Sequence, residues 1–286
     1  MTELPSVTVI IPAFRASGTI GETLAALADQ RDAPPFTVVV ADNGCPEDTA
    51  AVAAAALDEH GLDGQVLDAG AEPGAAYARN FAASSVSTEL VLFTDADDVV
   101  STRWVSGHVA ALADADLSSG PWQRWSPHAG EIARPDEIHA TPQSFGPYPF
   151  VHGNNFGARR TTFLELGGLS RELASAYDVE LGIRATKAGL RIGFAPEAGV
   201  LHRVDVDERA YLRRRFRYGL DDAVVRRLHD DYPAERVLSP LWRGLIRLPL
   251  LAVSTRRRRA WLPRMAQGAG YLVGRGRIRF AGLVGR

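Results

Sequence analysis

Three aspartates follow an apolar run near the middle of the N-terminal half, in the order Asp95-Ala-Asp97-Asp98 after Leu-Val-Leu-Phe-Thr. The run is typical of a strand, so we expect Asp95 and Asp97 at the carboxyl edge of a sheet. Mg²⁺ and Mn²⁺ favour oxygen ligands and are often held by one or two carboxylates together with substrate phosphates. The motif therefore predicts a site for a divalent cation and a diphosphate. The alternative is that Asp97 or Asp98 caps a helix that begins near Ser101.

Strand and helix patterns alternate four times over about the first hundred residues. Apolar, β-branched runs predict strands at 7–11, 36–40, 65–67 and 90–93, and helical spacing predicts helices near 17–30, 48–60 and 74–85. This alternation is typical of a mostly parallel α/β sheet with helices on both faces. Ligands of such sheets bind at the carboxyl ends of the strands, so Asp42 and Asp95 should face one crevice.

The second half of the chain is less regular. Residues 120–149 are rich in Pro, Gly, Trp and His, and a long aperiodic stretch inside a domain is usually functional or mobile. Beyond it the patterns predict helices near 161–166 and 177–188, a short strand at 199–202, and an Arg-rich helix to about residue 230.

Composition limits the class of protein. The chain has 286 residues, of which 46% are apolar, enough for one large domain or one domain with an appendage. A single cysteine, Cys45, excludes an intramolecular disulfide and fits a reducing cytoplasm. We expect neither a signal peptide nor a membrane-spanning helix.

Charge is distributed unevenly along the chain. Residues 1–204 carry 13 basic and 26 acidic side chains, whereas residues 205–286 carry 19 arginines and 8 acidic side chains. The asymmetry predicts a basic helical extension, 205–286, with an anionic partner such as a membrane surface or a phosphorylated substrate. Alternatively, the basic segment docks on its own acidic domain.

Seven segments in sequence order resemble the family 2 inverting glycosyltransferases with the GT-A (nucleotide-diphospho-sugar transferase) fold. The resemblance covers roughly residues 6–204, and we expect a catalytic domain over residues 1–204. It includes Val40-Ala-Asp-Asn-Gly for the family's Asp-Asp-Gly-Ser, the Asp-x-Asp itself, and Tyr177-Asp178-Val-Glu180-Leu for Glu-Asp-x-Asp-Leu. The remaining segments are 7–14, with its Pro-x-aromatic exit, 74–80, 159–169 and 200–202.

The resemblance implies a nucleoside-diphosphate sugar as donor. Nucleotide contacts would come from Pro12, Phe14, Asp42, Arg79 and Asp95. For Asp42 the alternative is a turn made with the following glycine, and for Arg79 it is a salt bridge with the acidic cluster. The second Asp of the family motif is an asparagine here.

The resemblance also implies a metal and a catalytic base. Asp97 and His202 would bind Mn²⁺ or Mg²⁺, and the imidazole favours Mn²⁺. Asp178 would accept the proton of the acceptor hydroxyl. The family's Glu before this Asp is a tyrosine here.

The acceptor would be a hydroxyl group of a glycan, a lipid-linked sugar or a small molecule. Aromatic faces pack on sugar rings and amides bond hydroxyls, so the candidate acceptor residues are Trp122, Trp125, Asn154, Asn155, Tyr177 and Glu180. Packing within loops is the alternative for these side chains. No nucleic acid partner is expected.

An apolar stretch with interspersed arginines, 241–253, precedes Arg256–Arg259. This pattern is typical of an interfacial segment held by anionic lipid, which predicts a protein peripheral on the cytoplasmic face of a membrane. A helical cover over the acceptor side or a dimer contact is the alternative.

Two other functions remain open. A catalytically silent nucleotide-sugar-binding subunit is kept open by Asn43 and Tyr177 at two motif positions. A sugar-nucleotide pyrophosphorylase would need a Gly-rich phosphate loop and lysines, and the chain has one lysine. A Rossmann dehydrogenase is disfavoured because no Gly-x-Gly-x-x-Gly follows the first strand.

Overall fold

The computed structural model describes residues 4–126, 134–149, 151–204, 207–233, 235–246 and 255–284. The chain divides into two compact units. The first comprises Met1–Arg171 and Tyr177–Val204, and the second comprises Glu172–Ala176 and Asp205–Arg286. The second unit thus takes in five residues from the middle of the chain.

The first unit alternates strands and helices, as the periodicity predicts. Its strands are β1 Val7–Ala13, β2 Phe36–Asp42, β3 Gly64–Asp68, β4 Leu90–Thr94, β5 Val99–Val100, β6 Leu117–Ser119, β7 Trp122–Trp125, β8 Ser144–Phe145, β9 Tyr148–Pro149, β10 Asn155–Arg159, β11 Ile192–Phe194 and β12 Val200–Arg203. Its helices are α1 Ile20–Ala28, α2 Thr49–Glu59, α3 Ala75–Ser85, α4 Trp104–Leu112, α5 Arg160–Glu165 and α6 Tyr177–Lys187.

Seven strands form the central sheet in the order β11-β6-β10-β4-β1-β2-β3. β1 pairs in parallel with β2 and β4, and β2 pairs in parallel with β3. β10 is antiparallel to both β4 and β6, whereas β11 is parallel to β6. The predicted mostly parallel sheet is confirmed, with one reversed strand beside β4.

Helices cover both faces of this sheet because successive side chains of a strand point to opposite faces. On β1, Val9 and Ile11 join one buried cluster with residues of α1, α2 and α4. Ile10 joins the other cluster with residues of α3, α5 and α6. A continuous apolar strand is what a sheet buried on both faces requires.

A second, three-stranded sheet has the order β5-β12-β7. Val200 pairs with Val100 on one side, and His202 pairs with Arg124 on the other. The aperiodic stretch 120–149 therefore contains one strand of this sheet and the hairpin of β8 and β9. Residues 127–133 and 150 lie outside the described residues. The small sheet brings His202 to the turn that follows β4.

The second unit contains α7 Glu208–Leu228, α8 Glu235–Ile246 and α9 Thr255–Val284. The backbones of α7 and α9 are close where both helices carry glycine. A Cβ on Gly219 would lie 1.9 Å from the carbonyl oxygen of Gln267, and one on Gly270 would lie 2.0 Å from that of Phe216. Neither position has room for any side chain.

The predicted interfacial segment is described in part. Residues 241–246 lie in α8, whereas residues 247–254 lie outside the described residues. Trp242, Leu245 and Ile246 are exposed, the last by 82%. Within the part of the chain that the structure describes, no helix has both the length and the apolar character needed to cross a bilayer.

Candidate active site

The carboxyl ends of β1, β2 and β4 meet at one edge of the sheet. The register pairs Ala13 with Asp42 across β1 and β2, and Ile10 with Phe93 across β1 and β4. Asp42 is the last residue of β2, and β4 ends at Thr94, immediately before Asp95. Both aspartates therefore stand at this edge, which is where open α/β sheets bind ligands.

The chain turns directly after β4. The N–H of Asp98 donates to the carbonyl oxygen of Asp95 at 3.3 Å, which closes a turn over four residues. Such a turn brings its first and last residues together. Ligand atoms of Asp95, Asp98 and His202 accordingly lie within 4.8 Å of one another. Asp97 is not a member of this group, and its role as a direct metal ligand stays a prediction.

Asp98 is fully buried between two side chains from other elements. Nδ1 of His202 bonds its Oδ1 at 2.9 Å, and Nδ2 of Asn154 donates to its Oδ2 at 2.7 Å. Burial raises the pKa of Asp98, against the effect of the His202 hydrogen bond. Burial lowers the pKa of His202, but the bond to Asp98 and the neighbouring carboxylates outweigh it and raise the pKa. Asp98 bonds these two side chains and caps no helix.

Two carboxylates and one imidazole suit a divalent cation. Carboxylates are ligands for Mg²⁺ and Mn²⁺, and imidazole is better suited to transition metals than to Mg²⁺. Asp95 remains partly exposed, with 29% of its side chain accessible, so the group is open on one side. The donor set fits a cation that also binds a substrate phosphate.

Arg79 connects the acidic group to helix α6. Its fully buried guanidinium forms an ion pair with Asp95 through Nη2, and Nη1 donates to the hydroxyl of Tyr177 at 3.3 Å. The Arg79 guanidinium also lies 5.6 Å from the centre of the Tyr177 ring. The salt-bridge alternative for Arg79 is therefore present, and Tyr177 holds the arginine from the other side.

Asp178 follows at the first turn of α6 and accepts two backbone hydrogen bonds. Gly153 N–H donates to Oδ2 at 3.0 Å, and Val179 N–H donates to Oδ1 at 2.8 Å. Burial raises the pKa of the Asp178 carboxyl to about 6, while these bonds and the charge of Arg79 act in the opposite direction. A carboxylate with a pKa near neutrality is suited to accept a proton.

Gly153 lets the loop before β10 approach Asp178 closely. A Cβ at this position would lie 2.9 Å from Cε2 of Tyr177. The preceding residue, His152, accepts a hydrogen bond at Nε2 from the indole N–H of Trp122 at 3.0 Å. The Trp122 ring also meets His202 edge-on at 5.9 Å. Trp122 thus lies beside the acidic group, and its contact with an acceptor stays a prediction.

The predicted nucleotide side lies at the end of β2. Oδ1 of Asp42 accepts from the N–H of Cys45 at 3.1 Å, so this aspartate shapes the turn that was its alternative role. Phe14 is 56% exposed and Pro12 is partly buried. Their contacts with a nucleotide stay predictions.

Asn43, where the family motif has an aspartate, holds the loop that precedes α3. Its amide donates to the carbonyl oxygens of Ala69 and Glu72 at 2.6 and 2.8 Å, and its Oδ1 accepts from the N–H of Gly74 at 2.7 Å. A carboxylate has no donor for the two carbonyls. The asparagine is therefore required by this loop.

Asn155 is fully buried at the start of β10. Its amide donates to the carbonyl oxygens of Pro121 and Ala198 at 2.9 and 2.8 Å. Its Oδ1 lies 2.8 Å from the indole nitrogen of Trp104 and 2.9 Å from Nε2 of His108. These four contacts engage both polar groups of the Asn155 side chain within the protein, and its contact with an acceptor stays a prediction.

The other predicted acceptor residues are engaged within the protein. Glu180 is 3% exposed and accepts bidentate bonds from Arg184, whose guanidinium also bonds carbonyls of 166 and 168. The Trp125 ring lies 5.1 Å from the guanidinium of Arg203. Asn154 bonds Asp98, as described above. An acceptor role for Trp125, Asn154, Tyr177 and Glu180 stays a prediction.

Sequence reasoning missed the part of Asp98 in the ligand group. The Asp-x-Asp spacing predicts that the first and third residues, Asp95 and Asp97, act together. The signal for Asp98 was its place as the fourth residue of a turn that starts at Asp95. The second missed group is the backbone N–H of Gly153, for which the sequence carries no signal beyond the glycine itself.

A sheet of this topology with a ligand site at its carboxyl edge is the fold of the GT-A glycosyltransferases. Sequence similarity identifies the family. The Glycosyl transferase family 2 model matches residues 8–171, and that of Glycosyl transferase family group 2 matches residues 90–265. The chain belongs to glycosyl transferase family 2.

Pre-mycofactocin glycosyltransferases from two strains of Mycobacterium tuberculosis are similar in sequence. Each is 26% identical over 248 residues, which make up 82% of this chain and 50% of the relative. The chain thus spans about half the length of the curated relatives it matches.

Solved glycosyltransferases share the fold. The mannosyltransferase PcManGT from Pyrobaculum calidifontis, in complex with GDP-Man and Mn²⁺, superposes with a TM-score of 0.67 at 20% identity, covering 96% of this chain and 88% of that one. S. aureus TarS 1–349 in complex with UDP-GlcNAc superposes with a TM-score of 0.55 at 18% identity, covering 96% and 92%. The predicted GT-A fold and family 2 membership are confirmed.

Proposed function

We propose that this chain is a metal-dependent inverting glycosyltransferase that moves a sugar from a nucleoside diphosphate to a hydroxyl acceptor. One observation carries the proposal. Ligand atoms of Asp95, Asp98 and His202 lie within 4.8 Å of one another. Buried Arg79 pairs with Asp95 and donates to the hydroxyl of Tyr177, the residue directly before Asp178, whose carboxyl has a pKa of about 6. The relatives named above, with GDP-Man and Mn²⁺ in one structure and UDP-GlcNAc in another, support this class of donor.

The roles follow from the chemistry of the side chains. Asp178 accepts the proton of the acceptor hydroxyl while that oxygen forms a bond to the anomeric carbon. The bond from the anomeric carbon to the diphosphate breaks on the opposite face, and its electron pair leaves with the diphosphate. Attack opposite the leaving group inverts the configuration through an oxocarbenium-like transition state.

Charge on the departing diphosphate needs a positive partner. Asp95, Asp98 and His202 would hold Mn²⁺ or Mg²⁺, which when bound stabilises the negative charge that grows on the leaving group. Arg79 holds Asp95 in place through its ion pair.

The test is calorimetric titration of UDP, GDP and dTDP into the purified protein, with Mn²⁺, with Mg²⁺ and with EDTA. We expect one nucleotide to bind tightly in a metal-dependent manner, and the matching nucleotide sugar to lose its sugar to a hydroxyl acceptor with inversion. Metal-dependent binding with no transfer to any acceptor would favour the catalytically silent subunit. Absence of binding by a folded protein would refute both.

We also propose that α8 lies on an anionic membrane surface, as would suit a protein with a lipid-linked acceptor. Exposed Trp242, Leu245 and Ile246 with the neighbouring Arg243 support this, because apolar side chains and arginines together bind lipid interfaces. Vesicles containing phosphatidylglycerol should sediment the protein at low salt, and pure phosphatidylcholine vesicles should not. Equal sedimentation of wild type and Ile246→Ser would contradict the assignment.

A further inference from the structure

The five residues Glu172–Ala176 belong to the second unit, although the rest of that unit begins only at Asp205. Tyr177 and Asp178 follow them directly in the chain, with α6 starting at Tyr177. The backbone that enters the helix of the proposed base is therefore fixed by contacts made within the second unit.

These contacts converge on one carboxylate oxygen of α7. Oδ2 of Asp221 accepts from the N–H of Ser175 at 2.7 Å, from the hydroxyl of Ser175 at 2.6 Å, and from the N–H of Ala176 at 3.3 Å. Asp221 is 7% exposed. Ser175 and Ala176 directly precede α6, so the Asp221 carboxylate holds the backbone that enters this helix. Such charge-assisted bonds are stronger than neutral ones.

A second contact joins the same segment to α7. Glu172 forms an ion pair with Arg227, and both side chains are largely exposed. Exposed ion pairs contribute little to stability. Of these two polar contacts with α7, the one made by buried Asp221 is the stronger.

Helix α7 is itself firmly held by α9. Gly219 and Gly270 allow the two backbones to approach closely. The neighbouring Asp222 accepts from the hydroxyl of Tyr232 at 2.5 Å and from Nε2 of Gln267 at 2.6 Å. Asp221 thus extends from a supported helix.

We propose that Asp221 is a positioning residue for the base Asp178. The inference rests on the proposed function of Asp178. The Asp221 carboxylate fixes Ser175 and Ala176, and these residues set where α6 starts and hence where the Asp178 carboxylate lies. Misplacement of a catalytic group by about 1 Å can cost about 100-fold in rate.

Two substitutions of Asp221 test the idea against each other. All three bonds reach one oxygen, so the amide oxygen of Asp221→Asn can accept all of them, whereas Asp221→Ala removes all of them. We expect Asp221→Ala to lower kcat by about 10- to 100-fold with an unchanged Kd for the nucleotide and Mn²⁺ by calorimetry. Asp221→Asn should restore most of kcat, and Ser175→Ala, which retains the two N–H bonds, should give a smaller loss.

Matched controls separate positioning from general loosening of the helices. Asp222→Asn disturbs the next residue of α7, and Asp230→Ala removes a fully exposed carboxylate of the same unit. Neither control should lower kcat as much as Asp221→Ala does. The pH below which activity falls should shift in Asp221→Ala and stay at the wild-type value in both controls.

The outcomes distinguish this inference from the proposed function. Wild-type kcat in Asp221→Ala, or equal losses in Asp221→Ala and Asp222→Asn, would overturn the positioning role while Asp178→Asn still abolished transfer. Full activity of Asp178→Asn would instead overturn the base assignment. If circular dichroism shows that Asp221→Ala is unfolded, Ser175→Ala becomes the test. An unchanged kcat in Ser175→Ala would then count against the positioning role of Asp221.

Discussion

The two carboxylate regions of the site differ in what surrounds them. Asp98 is held by side chains from other elements, His202 and Asn154, and carries other acids beside it. Asp178 is held by two backbone N–H groups, and burial brings its pKa to about 6. The first region gathers negative charge that a cation can neutralise. In the second region, one carboxyl group has a pKa close to neutral pH. In the proposed mechanism this difference would separate the binding of the leaving group from proton transfer.

Asp178→Asn should produce the largest effect. An amide cannot accept the proton, and general bases contribute about 10²- to 10⁴-fold to rate. We expect kcat to fall within that range while nucleotide affinity stays at the wild-type value. Steady-state transfer assays combined with calorimetry measure both quantities. A parallel loss of nucleotide binding would mean that the two regions are not separate.

Comparing Asp98→Ala with Asp97→Ala tests which of these two aspartates binds the metal. The geometry predicts that Asp98→Ala weakens Mn²⁺-dependent nucleotide binding by at least about tenfold, since even outer-shell partners of a metal cost 10- to 100-fold in affinity. Calorimetry with and without Mn²⁺ gives the comparison. If Asp97→Ala has the larger effect, the Asp-x-Asp interpretation is right and Asp98 serves only to orient His202.

The pH dependence of kcat/KM tests the protonation of Asp178. Asp178 is active when ionised, so kcat/KM should fall about tenfold per pH unit below about pH 6 as the carboxylate takes up a proton. Above that pH this group imposes no loss. Rate profiles from pH 4.5 to 8 measure it, and the residual activity of Asp178→Asn should lack the acidic limb. A limb near pH 4 would mean that burial does not raise this pKa.

Asn43→Asp should have the smallest effect, on stability. The change removes both donors to Ala69 and Glu72 and places a carboxylate near two carbonyls, which we expect to cost about 1–2 kcal/mol. Urea unfolding followed by circular dichroism measures the loss, with Asp58→Asn on the exposed face of α2 as control. Unchanged stability would mean that the loop does not depend on the amide.

Local patterns were enough to predict the strands from β1 to β4. Each is an apolar run closed by a turn residue, and the carboxyl-edge position of Asp42 and Asp95 follows from parallel pairing alone. The pairing of Asp95 with Asp98 did not follow, because it depends on a turn where the sequence suggested an extended strand end. His202 was found through family resemblance, since β12 carries no pattern of its own that marks a ligand.

Contacts between residues far apart in sequence could not be predicted from local patterns. Asn155 has the chemistry of a sugar-binding residue, but its partners at Pro121 and Ala198 are more than thirty residues away. Ser175 meets Asp221 across 46 residues of chain. A side chain's type suggests what it can bind, whereas its burial depends on partners that no local pattern names.

The buried amide of Asn155 also fixes the direction of the hydrogen bonds that run through His108 to Ser118. Its nitrogen donates to two carbonyls, so its oxygen can only accept, and Nε2 of His108 must carry the hydrogen. Nδ1 of His108 then accepts from the hydroxyl of Ser118 at 2.8 Å. Burial lowers the pKa of His108 to about 4, so the ring remains a single neutral tautomer across the pH range in which Asp178 titrates. The proton transfer proposed for Asp178 would therefore leave the hydrogens of this buried chain in place.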